Sequence, residues 1–375
     1  MTFWRKRALQ QLEAIRQADR FRATIAFDGP GVVGTLNGRS VVSFASNDYL
    51  GLTAHPRVRE AAQRAIERYG SGSGASRLIT GTRSLHHELE TTIARWKGTD
   101  RALVFSSGYA ANVGVLSTLG AADVTILSDE LNHASIIDGC RLAKARTIVY
   151  RHNDVAQLTE LMESAPGPKL VVTEAIFSMD GDAAPLADLA RLCAAHRALL
   201  VVDEAHAVLG PEFPEAPEGL ECLRVGTLSK TLAATGGWVA GSAMLIDLLV
   251  NRARTFIYTT APTPADMGAA LAALSIYRSE EGAMLRDRLR RLVHRIRPGH
   301  GSAIIPLVLG PESAAIAAAK ALLERGFYIP AIRPPTVPVN TARLRIALSA
   351  AHTDSMVEGL LEALRAIRPE GEGGL

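Results

Sequence analysis

Cysteine is scarce: the three in this 375-residue chain (Cys140, Cys193, Cys222) form no C-x-x-C pair and cannot all pair with one another. That excludes a disulfide framework and fits a reducing, cytoplasmic setting. No apolar run reaches the ~20 residues that cross a bilayer, so no membrane span is expected. Of the ten histidines, His86 and His87 are adjacent and the others lack ligand spacing, so no metal site is expected either. The net charge is only +3, and the basic residues are scattered rather than striped, which argues against nucleic acid as a partner. Asp203 to His206 spells D-E-A-H, but no G-x-x-x-x-G-K-[ST] phosphate loop precedes it, so the helicase reading fails. Internal repeats and low-complexity segments are absent.

What is present is the composition of a soluble globular protein, 47% hydrophobic and 21% charged, long enough for a large domain and a smaller one. The basic start reads as an ordinary helix rather than a transit peptide, because Glu13 and Asp19 interrupt it and no Ser-rich stretch accompanies it. Three parts are expected: an N-terminal helical segment (1–45), a large cofactor-binding domain (46–278) and a small C-terminal α+β domain (279–375). Helical spacing covers Val58 to Gly70, and a glycine-dense stretch from Gly70 to Glu90 reads as a loop that either cradles a ligand or links two elements. Strand, loop and helix then alternate from Ala102 onward, which implies a parallel sheet with right-handed crossovers. Arg254 to Arg278 reads as another strand and a long helix. Beyond Ser279 come a charged helix, a strand (Ala303 to Leu309), a helix (Ser313 to Arg325), the Pro-rich Tyr328 to Pro338, a strand (Arg343 to Leu348) and a last helix (Asp354 to Ile367). The tail Glu370 to Leu375 reads as disordered.

Chemistry concentrates in two segments. The apolar run Leu199 to Val202 is too short for a helix and reads as a strand buried on both faces, which puts Asp203 and His206 just past its carboxyl end, where open α/β sheets bind ligands. A lysine, Lys230, follows in a polar turn. Lysine near aspartate without metal spacing suggests a cofactor held through an imine, whose ring nitrogen needs an anionic partner; pyridoxal 5′-phosphate (PLP) is the leading candidate. The strand Ala102 to Phe105 runs through Ser-Ser-Gly into a helix, so unpaired N–H groups at Gly108 and Tyr109 either meet a phosphate or are capped by serine.

The motifs SNDYLGL, FSSGYAAN, NHAS, FSMDGD, VVDEAH, the lysine segment, AIRPPTVP and ARLRIALSAAH occur together and in order. In these the chain resembles the α-oxoamine synthases, a branch of the fold-type I PLP enzymes, over nearly its whole length. The resemblance implies a seven-stranded, mostly parallel sheet between helices and a smaller C-terminal domain. It also implies decarboxylative condensation of an amino acid with an acyl thioester. L-alanine with pimeloyl-CoA or a pimeloyl carrier protein is favoured by AIRPPTVP; glycine- or serine-using relatives and a non-catalytic subunit are the alternatives.

By position, the resemblance makes Lys230 the covalent anchor of PLP and Asp203 the partner of its ring nitrogen. His206 would bond the phenolic oxygen and His133 would stack on the ring. Ser178 and Thr227 would help hold the cofactor, with Gly108 and Tyr109 on its phosphate. Thr259 and Thr260 would reach that phosphate from a neighbouring subunit of a homodimer. Arg345 would grip the amino acid's carboxylate. Arg22 or the nearby Arg20, together with Thr336, Asn47 and Ser349, would contact substrate. Leu228-Ser229-Lys230-Thr231-Leu232 departs from relatives that carry glycines or aromatics beside the lysine.

Overall fold

The computed structural model describes residues 1–367, and the tail Glu370 to Leu375 lies outside them. Seven strands form its central sheet: β1 (Arg101–Phe105), β2 (Thr125–Asp129), β3 (Arg146–Tyr150), β4 (Lys169–Glu174), β5 (Leu199–Asp203), β6 (Glu221–Thr227) and β7 (Gly237–Gly241). Their order is β1-β7-β6-β5-β4-β2-β3; β7 runs antiparallel to both neighbours and every other adjacent pair is parallel. The runs LLVVD and KLVVTE are buried almost end to end because helices cover both faces of the sheet. Leu103, Phe105, Ile126 and Val201 pack on one side and Leu127, Tyr150, Leu200 and Val202 on the other.

Strand β7 had no clear strand signal, since glycines bound it. They are there for close approach. A Cβ on Gly237 would stand 2.4 Å from the Ser107 carbonyl, and one on Gly241 would meet the Leu223 side chain at 2.4 Å.

Two expectations change. Within the presumed loop Gly70 to Glu90, a helical turn spans Arg77–Gly81 and a full helix, Ser84–Lys97, has already begun. The expected strand after Arg254 is instead a short helix, Arg254–Ile257, leading to a turn at Thr259 and a single bridge from Thr260 to Ser76. The β-branched and aromatic residues there read as strand. Phe256 packs edge-on against Phe105 at 5.7 Å and the Thr255 hydroxyl donates to the Ala110 carbonyl, so tertiary packing overrides that propensity.

The C-terminal elements fall close to expectation: helices Glu280–Ile296, Glu312–Glu324 and Asp354–Ala366 surround an antiparallel sheet of Ile304–Gly310, Ala342–Ala347 and Ala331–Ile332. After the exposed helix Phe3–Gln17, the first 45 residues add three short strands. Val33–Leu36 and Arg39–Ser43 form a hairpin through Asn37 and Gly38, both at positive φ (49° and 78°), the dipeptide that such two-residue turns favour. Arg39–Ser43 also pairs in parallel with Phe327–Tyr328, which docks the N-terminal segment on the C-terminal region. Among the described residues no helix is long and apolar enough to cross a membrane.

Candidate active site

The carboxyl ends of β1, β4, β5 and β6 converge on a cavity of about 240 Å³ lined by Ser107, Gly108, Tyr109, Asn112, His133, Ser135, Glu174, Asp203, His206, Thr227 and Lys230 among others. Asp203 ends β5 and is held as an acceptor on both oxygens. Asn112 Nδ2 donates to Oδ2 at 2.7 Å and the Ala205 N–H to Oδ1 at 2.9 Å. The same Asn112 amide donates to Ser135 Oγ (2.9 Å), and His133 Nδ1 accepts from the Ser135 hydroxyl (2.7 Å) and amide (3.2 Å). With Nδ1 filled as an acceptor, the ring proton of neutral His133 belongs on Nε2.

Burial pulls the Lys230 ammonium below its ordinary range, against the pull of Asp203 and Glu174 and with help from Arg345. Burial likewise pushes His206 well down, and Lys230, Arg345 and His133 reinforce it, so the imidazole is neutral. Glu174 ends β4 in direct register with Asp203. It is 2% exposed, and burial beside Asp203 drives its carboxyl well above the usual range, more than Lys230 and the His133 and Ser178 backbone offset. Of the two carboxyls, Glu174 is the one burial disposes to hold a proton, whereas both Asp203 oxygens are filled by donors.

At the other end, Ser107 caps the helix Gly108–Leu119 by accepting from Ala110 N (3.0 Å), while Gly108 presents its backbone to the cavity. A Cβ on Gly108 would press on Thr227 at 3.3 Å. The hydroxyls of Thr227 and Ser229 lie 2.7 Å apart beside it. The cap uses the Ser107 side chain and the Ala110 N–H, so it is compatible with an anion meeting the N–H groups at Gly108 and Tyr109.

Beside the cavity, Arg345 projects from Ala342–Ala347, 6% exposed. Its Nε donates to the Ser178 carbonyl (2.6 Å), and both terminal nitrogens donate to Asn47 Oδ1 (3.2 Å each). Ser178 thus meets Arg345 through its backbone, and Asn47 sits on the same guanidinium. The Ser349 hydroxyl is committed to the Asp48 carbonyl at 2.6 Å and braces the loop that carries Asn47. Arg20 pairs with Glu312 at 2.9 Å, whereas Arg22 Nη2 donates to Thr336 Oγ1 at 3.3 Å. Thr336 lines a second cavity, of about 430 Å³, with Leu131, Phe177, Met179, Val337 and Arg343. Thr259 and Thr260 are not among the residues lining the Lys230 cavity.

Four polar residues of this region escaped the motif reading. Asn112 lies one turn beyond Gly108 on the helix whose start was noticed, Ser135 follows His133 by two, Glu174 is the polar end of an apolar run, and Tyr49 sits inside SNDYLGL. The i, i+4 spacing and the strand-end position were the available signals.

A ring cation and a phosphate would both find partners here. Asp203 offers an anion, Lys230 an amine of lowered basicity, and the Gly108 turn free N–H groups, while the buried Glu174 Oε1 and Asn112 Oδ1 have no partner of their own. The fold and this donor set are those of a fold-type I PLP-dependent enzyme.

The family model for aminotransferase class I and II matches residues 39–364. The 8-amino-7-oxononanoate synthase of Anaeromyxobacter dehalogenans is 49% identical, covering 96% of this chain and 95% of that protein. The one from Methylococcus capsulatus is 46% identical, with 99% and 100% covered. Among solved structures, the serine palmitoyltransferase of S. paucimobilis with bound PLP and myriocin superposes with a TM-score of 0.90 at 28% identity, covering 98% of each chain. The 8-amino-7-oxononanoate synthase of Francisella tularensis gives 0.72 at 27%, covering 87% of this chain and 96% of that one. The chain belongs to the aminotransferase class I and II family and, within it, to the 8-amino-7-oxononanoate synthases, and its cofactor is PLP.

Proposed function

We propose that the chain condenses L-alanine with a pimeloyl thioester, pimeloyl-CoA or a pimeloyl carrier protein, giving 8-amino-7-oxononanoate, the free thiol and carbon dioxide in biotin biosynthesis. The observation that carries this reading is the single cavity that gathers Lys230, Asp203, His206 and His133 next to the buried Arg345. A non-catalytic subunit would have no need to keep that set together.

PLP bound there supplies a cationic ring that stabilises the electron pair left on the amino acid's Cα. Asp203, fixed by Asn112 and Ala205, keeps the ring nitrogen protonated. His206 would bond the phenolic oxygen, Ser178 and Thr227 would help hold the cofactor, and the Gly108–Tyr109 backbone would receive the phosphate. Lys230 provides the covalent anchor; burial favours its neutral amine, which can then accept the Cα proton. Arg345 offers two parallel N–H groups to the alanine carboxylate, an arrangement that fixes the Cα–H bond relative to the ring. His133, with its proton on Nε2, can donate to the acyl carbonyl. Thr336, bonded by Arg22, lines the second cavity, which would receive the acyl chain, with Asn47 nearer the carboxylate.

The working form is a cytoplasmic homodimer of chains each built from an N-terminal segment (1–45), a large domain (46–278) and a small domain (279–375). Thr259 and Thr260 serve the phosphate of the neighbouring copy, which agrees with their place outside their own chain's cavity. The test is turnover by the PLP-loaded protein with L-alanine, glycine or L-serine against pimeloyl-CoA, with products read by mass spectrometry. Preference for L-alanine supports the reading, and preference for glycine or serine overturns it.

A further inference from the structure

We propose that Tyr49 is a positioning residue that couples occupancy of the Arg345 carboxylate site to the imidazole of His206. This rests on the function proposed above and adds a link inside that site. Tyr49 is 0% exposed, so no solvent competes for its hydroxyl. That hydroxyl has one proton and two acceptors in reach, His206 Nδ1 at 2.5 Å and Asn47 Oδ1 at 3.1 Å. Asn47 Oδ1 already receives both terminal nitrogens of Arg345. A carbonyl oxygen has two lone pairs, and both are then engaged.

Without an amino acid, therefore, Tyr49 donates to His206 Nδ1 and fixes the ring proton of His206 on Nε2. A carboxylate that takes the two terminal N–H groups of Arg345 strips Asn47 Oδ1 of its donors. The Tyr49 proton gains a second acceptor, its bond to Nδ1 weakens, and the imidazole becomes more basic. The Arg345 stem stays where it is throughout, because its Nε is held separately by the Ser178 carbonyl. The other titratable groups that face His206 are Lys230, Arg345 and His133, and none of them bonds Nδ1. Arg345 is the charge that faces the Tyr49 hydroxyl, and its guanidinium also comes within side-chain hydrogen-bonding reach of that oxygen. A carboxylate bound at one end of this chain of bonds is thereby registered at the residue placed on the cofactor's phenolic oxygen.

The test uses PLP-loaded protein and propionate, which is alanine without the amino group and so occupies the carboxylate site without reacting. The pH midpoint of the visible absorbance of bound PLP is measured with and without propionate. In the wild type, propionate should move that midpoint by roughly one pH unit, the size expected when one hydrogen bond changes hands. Tyr49→Phe should still bind propionate, read by calorimetry, and show one midpoint under both conditions. A full shift in Tyr49→Phe would mean that the propionate charge acts directly, and it overturns the relay, as does the absence of a shift in the wild type. If Tyr49→Phe does not fold, nitrogen resonances of the His206 ring in the wild type decide. Propionate must move Nδ1 toward its unbonded position, and an unchanged resonance overturns the proposal. Failure to bind PLP or to condense alanine would sink the proposed function instead, which keeps the two failures distinct.

Discussion

Replacing Asp203 with asparagine perturbs more than charge, because both carboxylate oxygens are acceptors. Oδ2 takes the Asn112 amide and Oδ1 the Ala205 N–H, so an asparagine must turn its NH2 toward one of them. One donor then faces another donor in a buried setting, a mismatch of about 1–3 kcal/mol. The ring nitrogen of PLP also loses its anion, and removing one preorganised electrostatic partner typically lowers kcat by roughly 10²–10³. Asp203→Asn should therefore melt at a lower temperature than the wild type, still bind PLP through Lys230, and lose solvent exchange of the L-alanine α-proton along with turnover. Deuterium exchange followed by NMR, alongside a thermal melt, reads both effects. If α-proton exchange in Asp203→Asn matched the wild type, the assignment of Asp203 to the ring nitrogen would be wrong.

Other consequences are more quickly stated. Lys230→Ala should retain the fold yet show neither covalently held PLP nor condensation product, a result visible by intact mass and product assay. Arg345→Gln gives up a charge-assisted pair worth about 1.5–3 kcal/mol, so the KM for L-alanine should rise roughly 10–150-fold in steady-state kinetics. Glu204 lies between Lys97, at 2.6 Å, and Arg224, all three largely buried; Glu204→Gln leaves two cations unpaired and should cost about 3–5 kcal/mol in a denaturant melt. His152 bridges Asp129 (3.0 Å) and Asp182 (2.7 Å); burial opposes its charge, but those two bonds outweigh burial and raise its pKa. Its stabilising effect is thus fully present below the unfolded value of about 6.5 and fades as pH rises through the folded value. The melting difference between wild type and His152→Asn should be largest at low pH and shrink on going alkaline; a difference that grows with pH would reverse this assignment.

Much of the fold could be read from the chain because its signals are local. Continuous apolar runs such as LLVVD mark strands buried on both faces, and the positions after them hold Asp203 and His206. Where local signals conflicted with packing, reading failed: Arg254–Ile257 carries β-favouring residues yet coils where Phe256 meets Phe105, and β7 hides behind glycines that exist to let Ser107 and Leu223 come close. The site residues that motifs supplied lie on separate stretches scattered from Asn47 to Ser349, and only the tertiary structure reveals what joins them. Neither the Asn112–Ser135–His133 chain nor the Tyr49 bridge between Asn47 and His206 has any spacing signature, since their partners lie 23 and 157 residues apart.

The central claim is that one amine, Lys230, carries the cofactor in a cavity whose anion is Asp203. Borohydride reduction of the PLP-loaded protein, followed by proteolysis and peptide mass spectrometry, tests it directly. The account predicts one pyridoxyl phosphate group per chain, on the peptide containing Lys230. A label on Lys97, Lys144, Lys169 or any other lysine, or no label at all, would contradict it.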